Sequence, residues 1–407
     1  MGEAARKQMK ILAISEDKWD DFAGTSVVVR NLCVHLSRLG NDVLVVLPSL
    51  PKNHREIESE HLSFFGILET LHVDMGSGML YPWRKQKVLR GISDLCARFR
   101  PDAVHVMCGY RLAKTMNLIS AAVPKVWTIH NLPAKEWIID WGVRKRFGKN
   151  ILDFFRKTIC LVTNRQRFLK CVFDKIVCVS QSTYDGVRGM GVPAGKMVVI
   201  NNGVDRSLFR PAAQQGAGRI FPDKCYPVLL SIASFVPGKG QRRFLRVLPD
   251  LLADYPHLLY CNVGRILDME YYDALCAYAS RHRLEGHVLF LQSLPFEKLP
   301  EYYQACDLYV QFSKHEGFGI PALEALSCGK RIVVTQTGAF AQLVNETGGG
   351  EVLDEVSGAS VLRALKKTLL PETDDAVAKR VAYLGRNYDW NVIAKKNLEV
   401  YARLLER

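Results

Sequence analysis

Short apolar runs alternate with stretches of helical periodicity along almost the whole chain. This is the pattern of β-α-β units whose parallel strands are buried by helices on both faces. In the first half the pattern predicts strands over 10–14, 42–47, 103–107, 125–129, 175–179 and 197–200. A helix over 26–39 is ended by Gly40 and follows a loop holding Gly24 and Thr25. The second half restarts the plan with a strand over 228–233, a loop over 234–240 and a helix over 241–252. Further strands are expected over 258–263, 287–291, 308–312, 331–334 and 351–353. Residues 210–218, Arg-Pro-Ala-Ala-Gln-Gln-Gly-Ala-Gly, have the composition of a linker. The expected division is a first Rossmann-like domain over 1–205, a linker over 206–225 and a second such domain over 226–386. A C-terminal helix over 387–407 is expected to pack back on the first domain. Two doubly wound α/β domains would carry ligand sites at the carboxyl ends of their strands, facing one another across a cleft.

One turn in the second half carries the chemistry. The predicted strand over 308–312 runs into His315-Glu316-Gly317-Phe318-Gly319-Ile320-Pro321, and a helix follows. Pro321 suits a first helical turn, where its missing N–H leaves nothing unpaired. Gly329 stands where a helix C-terminal glycine is expected. The amides of Gly317, Phe318, Gly319 and Ile320 should therefore converge at a helix N-terminus, a ready site for phosphate. Glu316 would sit in the loop and Glu324 one turn into the helix, on the same side. Two carboxylates around a phosphate nest point to chemistry on a phosphorylated, hydroxyl-rich substrate. The competing reading is a pair of solvated acids beside an ordinary strand-to-helix loop.

Composition narrows the compartment and the partners. At 407 residues the chain exceeds one typical core, and 48% hydrophobic residues suffice for globular packing. The segment 1–10 is polar, with no signal-peptide apolar region, and no run approaches the ~20 apolar residues of a membrane span. The eleven cysteines are scattered, with no zinc-ligand spacing, and read as reduced thiols of a cytoplasmic protein. The net charge of +14 calls for an anionic partner. Half of that excess lies between Lys135 and Lys170, where ten Lys/Arg face three Asp/Glu. Trp137, Trp141, Phe147, Phe154, Phe155 and Phe168 are interleaved there. The stripe Ile151, Phe154, Phe155, Ile159, Val162 reads as the inner face of an outer helix, whereas 137–149 suits an anionic membrane surface or an acceptor. Nucleic acid is not expected, since no helix-turn-helix, zinc finger or RNA-stacking motif accompanies the charge.

The segment Asn201-Asn202-Gly203-Val204-Asp205-Arg206-Ser207-Leu208-Phe209-Arg210-Pro211 resembles the interdomain signature of family-four retaining glycosyltransferases of the GT-B fold. Pro237-Gly238-Lys239-Gly240, the block from Glu316 to Glu324, Thr337-Gly338 and Tyr388-Asp389-Trp390-Asn391 follow in that family's order. The likeness spans nearly the full chain and is looser before Asn201. It implies that Glu324 holds the ribose of a nucleotide sugar and that Glu316 lies beside the transferred sugar. The amides of Phe318, Gly319 and Ile320 would bind the sugar hydroxyls and diphosphate, and Lys239 would neutralise the leaving group. For Lys239 the competing reading is a solvated lysine in a turn. His130, at the end of a strand, matches an active-site histidine that contacts the donor sugar; a structural histidine is the alternative. Gly24, Thr25, Gly317, Ser234 and Asn202 complete the expected donor-binding set, and the first domain becomes the acceptor side.

Three positions depart from the family. Ser234 replaces a common arginine, with Arg265 the nearest candidate substitute; Gln342 replaces a common glutamate, and Ala339 a common second glycine. No Asp-x-Asp occurs in the chain, so neither metal nor other cofactor is expected, only the nucleotide sugar as co-substrate. The implied activity is transfer of a sugar to a hydroxyl of a lipid-linked or polysaccharide acceptor. The implied location is cytoplasmic, peripheral on the inner face of the membrane where the basic segment engages it. A non-catalytic glycan- or nucleotide-binding partner protein and a nucleotide-sugar epimerase are the alternatives.

Overall fold

A computed structural model describes residues 8–20, 24–67, 81–108, 116, 122–131, 172–212, 220–292 and 294–406. The basic segment 135–170 and most of the linker candidate, 213–219, lie outside the described residues. The chain divides into two α/β units, each with its own parallel sheet.

In the first unit the strands are β1 (Lys10–Ser15), β2 (Asp42–Leu47), β3 (Leu62–Gly66), β4 (Ala103–Cys108), β5 (Lys125–Ile129), β6 (Lys175–Cys178) and β7 (Met197–Val199). Their spatial order is β3-β2-β1-β4-β5-β6-β7, all parallel. The predicted strands are present, with ends displaced by at most one residue. Strand β3 is an addition to the predicted set. It lies at the sheet edge, where Leu62 and Phe64 are buried but Ser63 faces solvent, so it lacks the continuous apolar run of an inner strand. The Gly24–Arg38 helix starts two residues before its expected position and presents Val28, Leu32 and Leu36 to the core. Left-handed Gly40 (φ +81°) follows it.

The last helix, Trp390–Leu405, belongs to this unit and packs against Gly24–Arg38. A buried polar chain fixes it there. Tyr401 Oη lies 2.6 Å from His105 Nδ1, and His105 Nε2 lies 2.7 Å from Thr128 Oγ1. Burial drives the His105 pKa down to about 3, so the ring is neutral, and two hydroxyls satisfy its one donor and one acceptor.

The second unit, Val204–Asp389, holds β8 (Val228–Ile232), β9 (Leu259–Val263), β10 (Val288–Leu291), β11 (Leu308–Gln311), β12 (Ile332–Thr335) and β13 (Gly350–Leu353). Their order is β10-β9-β8-β11-β12-β13, again all parallel. The helix Gln241–Leu252 buries Phe244, Leu245, Leu248 and Leu251 on this sheet. Phe244 meets Tyr260 and Phe312 at ring-centroid distances of 4.3 and 5.5 Å. Both sheets are doubly wound, as the sequence pattern predicts. Each reverses its strand order once, between β1 and β4 and between β8 and β11. Crevices at the carboxyl ends of such neighbouring strands are where open α/β sheets bind ligands.

Candidate active site

The switch between β8 and β11 gathers the charged residues of the second unit. After β8 the chain passes Ser234 and enters a tight turn at Pro237–Lys239, closed by left-handed Gly240 (φ +86°). A Cβ at position 240 would lie 2.1 Å from the Phe312 carbonyl oxygen, so only glycine lets this turn press against the end of β11. The Lys314 N–H donates to the Gly238 carbonyl at 2.9 Å and ties the two loops together.

The result is a close ion pair. Lys239 Nζ lies 2.8 and 2.9 Å from the two carboxylate oxygens of Glu316. Glu316 Oε1 also accepts from Gln311 Nε2 at 2.6 Å and Ser313 Oγ at 2.7 Å. Its backbone N–H donates to Thr337 Oγ1 at 2.9 Å. Donors from β11, the loop after it and the β8 turn therefore converge on one carboxylate whose side chain is 9% exposed. Lys239 is 30% exposed, so its ammonium still reaches solvent.

Beyond Glu316 the turn leads into the helix Ile320–Ser327, with Pro321 in its first turn. Gly319 is left-handed (φ +103°), and a Cβ there would lie 2.1 Å from the buried Phe340 ring. Gly338 approaches closely from the neighbouring loop, where a Cβ would lie 2.7 Å from the Phe318 carbonyl oxygen. The Ala339 N–H donates to that same carbonyl at 2.9 Å and locks the turn. Gly317 and Phe318 are buried within it. Among the described residues no protein acceptor meets the N–H of Phe318, Gly319 or Ile320. Three consecutive unpaired amides at a helix N-terminus, next to an ammonium, form an anion site.

Glu324 occupies the next turn of this helix and is buried, 5% exposed. Tyr303 donates to its Oε2 at 2.8 Å. Burial lifts the Glu324 pKa to about 7, with the phenol bond pulling the other way. Ser234 lies half-buried ahead of the Pro237–Lys239 turn, its carbonyl accepting from Gln241 Nε2 at 3.0 Å. Arg265 is exposed at the end of the neighbouring strand, its carbonyl accepting from the Phe235 N–H at 2.9 Å. Gln342 donates to Glu346 at 2.9 Å and to the Tyr388 hydroxyl at 3.1 Å.

The remaining predicted residues belong to the first unit. His130 follows β5 and donates Nε2–H to the Met107 carbonyl at 2.7 Å. A carbonyl only accepts, so the proton is on Nε2 and the Nδ1 lone pair is left over. Burial lowers the His130 pKa; the Met107 bond and the charge of Asp17 oppose that shift. Asp17 follows β1 and accepts from Thr25 Oγ1 and, at 3.1 Å, from Cys108 Sγ. Thr25 and His130 are thus both drawn to the carboxyl end of β1 and its neighbours. Gly24 opens its helix, and a Cβ there would meet nothing within 4 Å. Asn202 is buried in the segment leading out of the unit.

Gln311, Ser313, Tyr303 and Asp17 escape the sequence reading. Gln311 lies on β11, Ser313 in the loop after it and Tyr303 on the helix Leu299–Ala305, none within a conspicuous motif. Asp17 alone carried a usable signal, a carboxylate two residues beyond a strand that begins a Rossmann-like sheet. Among the described residues no three His, Cys, Asp or Glu side chains converge where a metal ion could be held. Nor is any described helix long and apolar enough to cross a membrane.

Two family models match the chain. The model for Glycosyltransferase Family 4 covers residues 22–208, and that for glycosyl transferases group 1 covers residues 219–387. The phosphatidylinositol N-acetylglucosaminyltransferase GPI3 subunit of Saccharomyces cerevisiae is 24% identical over 271 residues, 65% of this chain and 58% of that protein. The GDP-mannose:cellobiosyl-diphosphopolyprenol alpha-mannosyltransferase of Komagataeibacter xylinus is 26% identical over 261 residues, 64% of this chain and 62% of that protein. The match therefore spans about three fifths of either relative. Among solved structures, sucrose-phosphate synthase from Thermosynechococcus elongatus superposes with a TM-score of 0.76 at 19% identity, over 98% of this chain and 99% of that one.

Proposed function

The chain belongs to the family-four glycosyltransferases of the GT-B fold, and from that premise we propose that it moves a sugar from a nucleotide-sugar donor to a hydroxyl of a lipid-linked or polysaccharide acceptor, with retention at the anomeric carbon and no metal ion. The observation that carries this reading is the Lys239–Glu316 pair beside the three unpaired amides at the β8–β11 switch.

In the proposed reaction the bond from the anomeric carbon to the diphosphate oxygen breaks while an acceptor hydroxyl oxygen bonds to that carbon and passes its proton to the departing diphosphate oxygen. Negative charge gathers on the departing diphosphate. The amides of Phe318, Gly319 and Ile320 supply fixed donors there, and the Lys239 ammonium joins them by turning from Glu316 when the donor binds. When Lys239 turns to phosphate, Glu316 keeps its bonds from Gln311 and Ser313 and is not left bare. The neutral His130 ring has an Nδ1 lone pair with which to accept from a sugar hydroxyl. Attack on the face the leaving group vacates would give retention without a protein nucleophile.

The relatives' names point to lipid-linked acceptors, a phosphatidylinositol in one and a diphosphopolyprenol in the other. With the basic 135–170 segment, they support a protein that works peripherally on the cytoplasmic face of a membrane. A second reading rests on Ser234, which gives the donor no cation where the family commonly has arginine. That reading is a non-catalytic protein that binds sugar nucleotide and supports a partner enzyme.

The test is nucleotide release from a panel of UDP-, GDP- and ADP-sugars, with and without membrane lipid extract, in EDTA, with the anomeric configuration of any product read by NMR. The proposal expects one donor to turn over faster with lipid, to survive EDTA, and to give a retained product. Binding without turnover would favour the second reading. No binding at all would remove both.

A further inference from the structure

Glu324 is the carboxylate that the proposed function assigns to the nucleoside hydroxyls, and the following inference rests on that reading. Only one of its two oxygens is engaged. Oε2 takes the Tyr303 hydroxyl at 2.8 Å. Oε1 has no protein partner among the described residues, and it is not among the buried polar atoms sealed from solvent. The free oxygen is thus the one a ligand can reach.

Tyr303 is held in place by burial and by ring contacts on two sides. It lies on the helix Leu299–Ala305 and is fully buried. Its ring stands edge-on to Phe209, 5.7 Å away at 78°, and beside Tyr309 at 6.0 Å. Burial, and then the neighbouring Glu324 charge, hold its phenol protonated, so it acts as a donor. We propose that Tyr303 is a positioning residue for nucleoside recognition: its hydroxyl clamps Glu324 Oε2, so that Oε1 is ionised and aimed at the ribose hydroxyls of the donor.

The groups around Glu324 leave this role to Tyr303 alone. Tyr309 and Cys328 are neutral, with acidities suppressed by burial. On the packed helix Asp374–Tyr388, Arg380 is turned to Glu372 at 2.6 and 2.7 Å and to the Gly329 carbonyl. Among the described residues, removing the phenol hydroxyl would therefore leave Glu324 without a side-chain hydrogen-bond donor.

The experiment compares the affinity of UDP, GDP or ADP, whichever binds tightest, with that of its 2′,3′-dideoxy form. The wild-type protein should prefer the ribonucleotide by tenfold or more. Tyr303→Phe should reduce that preference by about tenfold, the effect of one hydrogen bond to a charged group, with the dideoxy affinity unchanged. Tyr303→Phe that lowers thermal stability but keeps the full ribose preference would assign Tyr303 to packing and overturn the inference. If the variant does not fold, the wild-type pH profile decides. The ribose preference should fade as pH drops through about 7, where Glu324 takes up its proton; the ratio of the two ligands cancels phosphate ionisation. A ribose preference that strengthens as pH drops through that value would make the neutral acid the ribose-binding form and refute the clamp. Failure of the wild-type protein to bind any of the nucleotides would instead count against the proposed function.

Discussion

Above about pH 7 the free protein keeps a desolvated charge at Glu324, whose one side-chain donor is Tyr303. Between 4.5, the ordinary glutamate value, and about 7 the folded chain retains a proton that the unfolded chain releases. Stability from this group is therefore present at low pH and lost as pH rises through that window, by on the order of 2–3 kcal/mol. Glu324→Gln should raise the melting temperature at about pH 8, leave it nearly unchanged at about pH 4.5, and weaken nucleotide binding. An unchanged melting temperature at the higher pH would show that the carboxylate is not strained by its site. The histidines run the other way. His105, lowered to about 3, favours the folded state above 6.5 and loses that contribution as pH falls. At this scale the sequence was informative about charge and poor about support. Glu316, Glu324 and Lys239 stand out because acids and a lysine are conspicuous beside Gly-Phe-Gly and Pro-Gly turns. Gln311 and Ser313 do not, because their role exists only once β11 and the turn after β8 are folded against each other.

Elements were more legible than their partners. Parallel strands buried on both faces, such as β1 and β2, hold unbroken apolar runs over 11–14 and 43–47. The edge strand β3 alternates buried and exposed positions over five residues and has no such signature. That the last helix packs on the first unit was expected from the sequence, but the contact that secures it was not: His105 and Tyr401 are 296 residues apart, and neither is unusual locally. Tyr401→Phe would leave one nitrogen of the fully buried His105 without a partner, at a cost of about 1–3 kcal/mol. Urea unfolding should show that loss while nucleotide affinity, which the proposed function assigns to the second unit, stays the same. A stability equal to wild type would mean that this hydrogen-bonded chain does not secure the helix.

At the scale of the whole molecule, two sheets of one design each reverse strand order once, and the candidate residues of each unit collect at that reversal. The restart of the strand–helix pattern at residue 228 made this division readable. The electrostatic part of the membrane proposal stands on half of the +14 lying between Lys135 and Lys170. At low salt the protein should partition onto anionic vesicles in preference to neutral ones, and ~0.5 M salt should release it. Equal partitioning onto both would refute an electrostatic attachment.

The central claim is that Lys239 and the amide turn at the β8–β11 switch take up the charge of a departing nucleoside diphosphate. Its most direct test is single-turnover nucleotide release from the preferred sugar nucleotide, wild type against Lys239→Met. Lys239→Met should slow release by about a hundredfold or more, with the variant still folded. A variant that releases nucleotide as fast as wild type would contradict it.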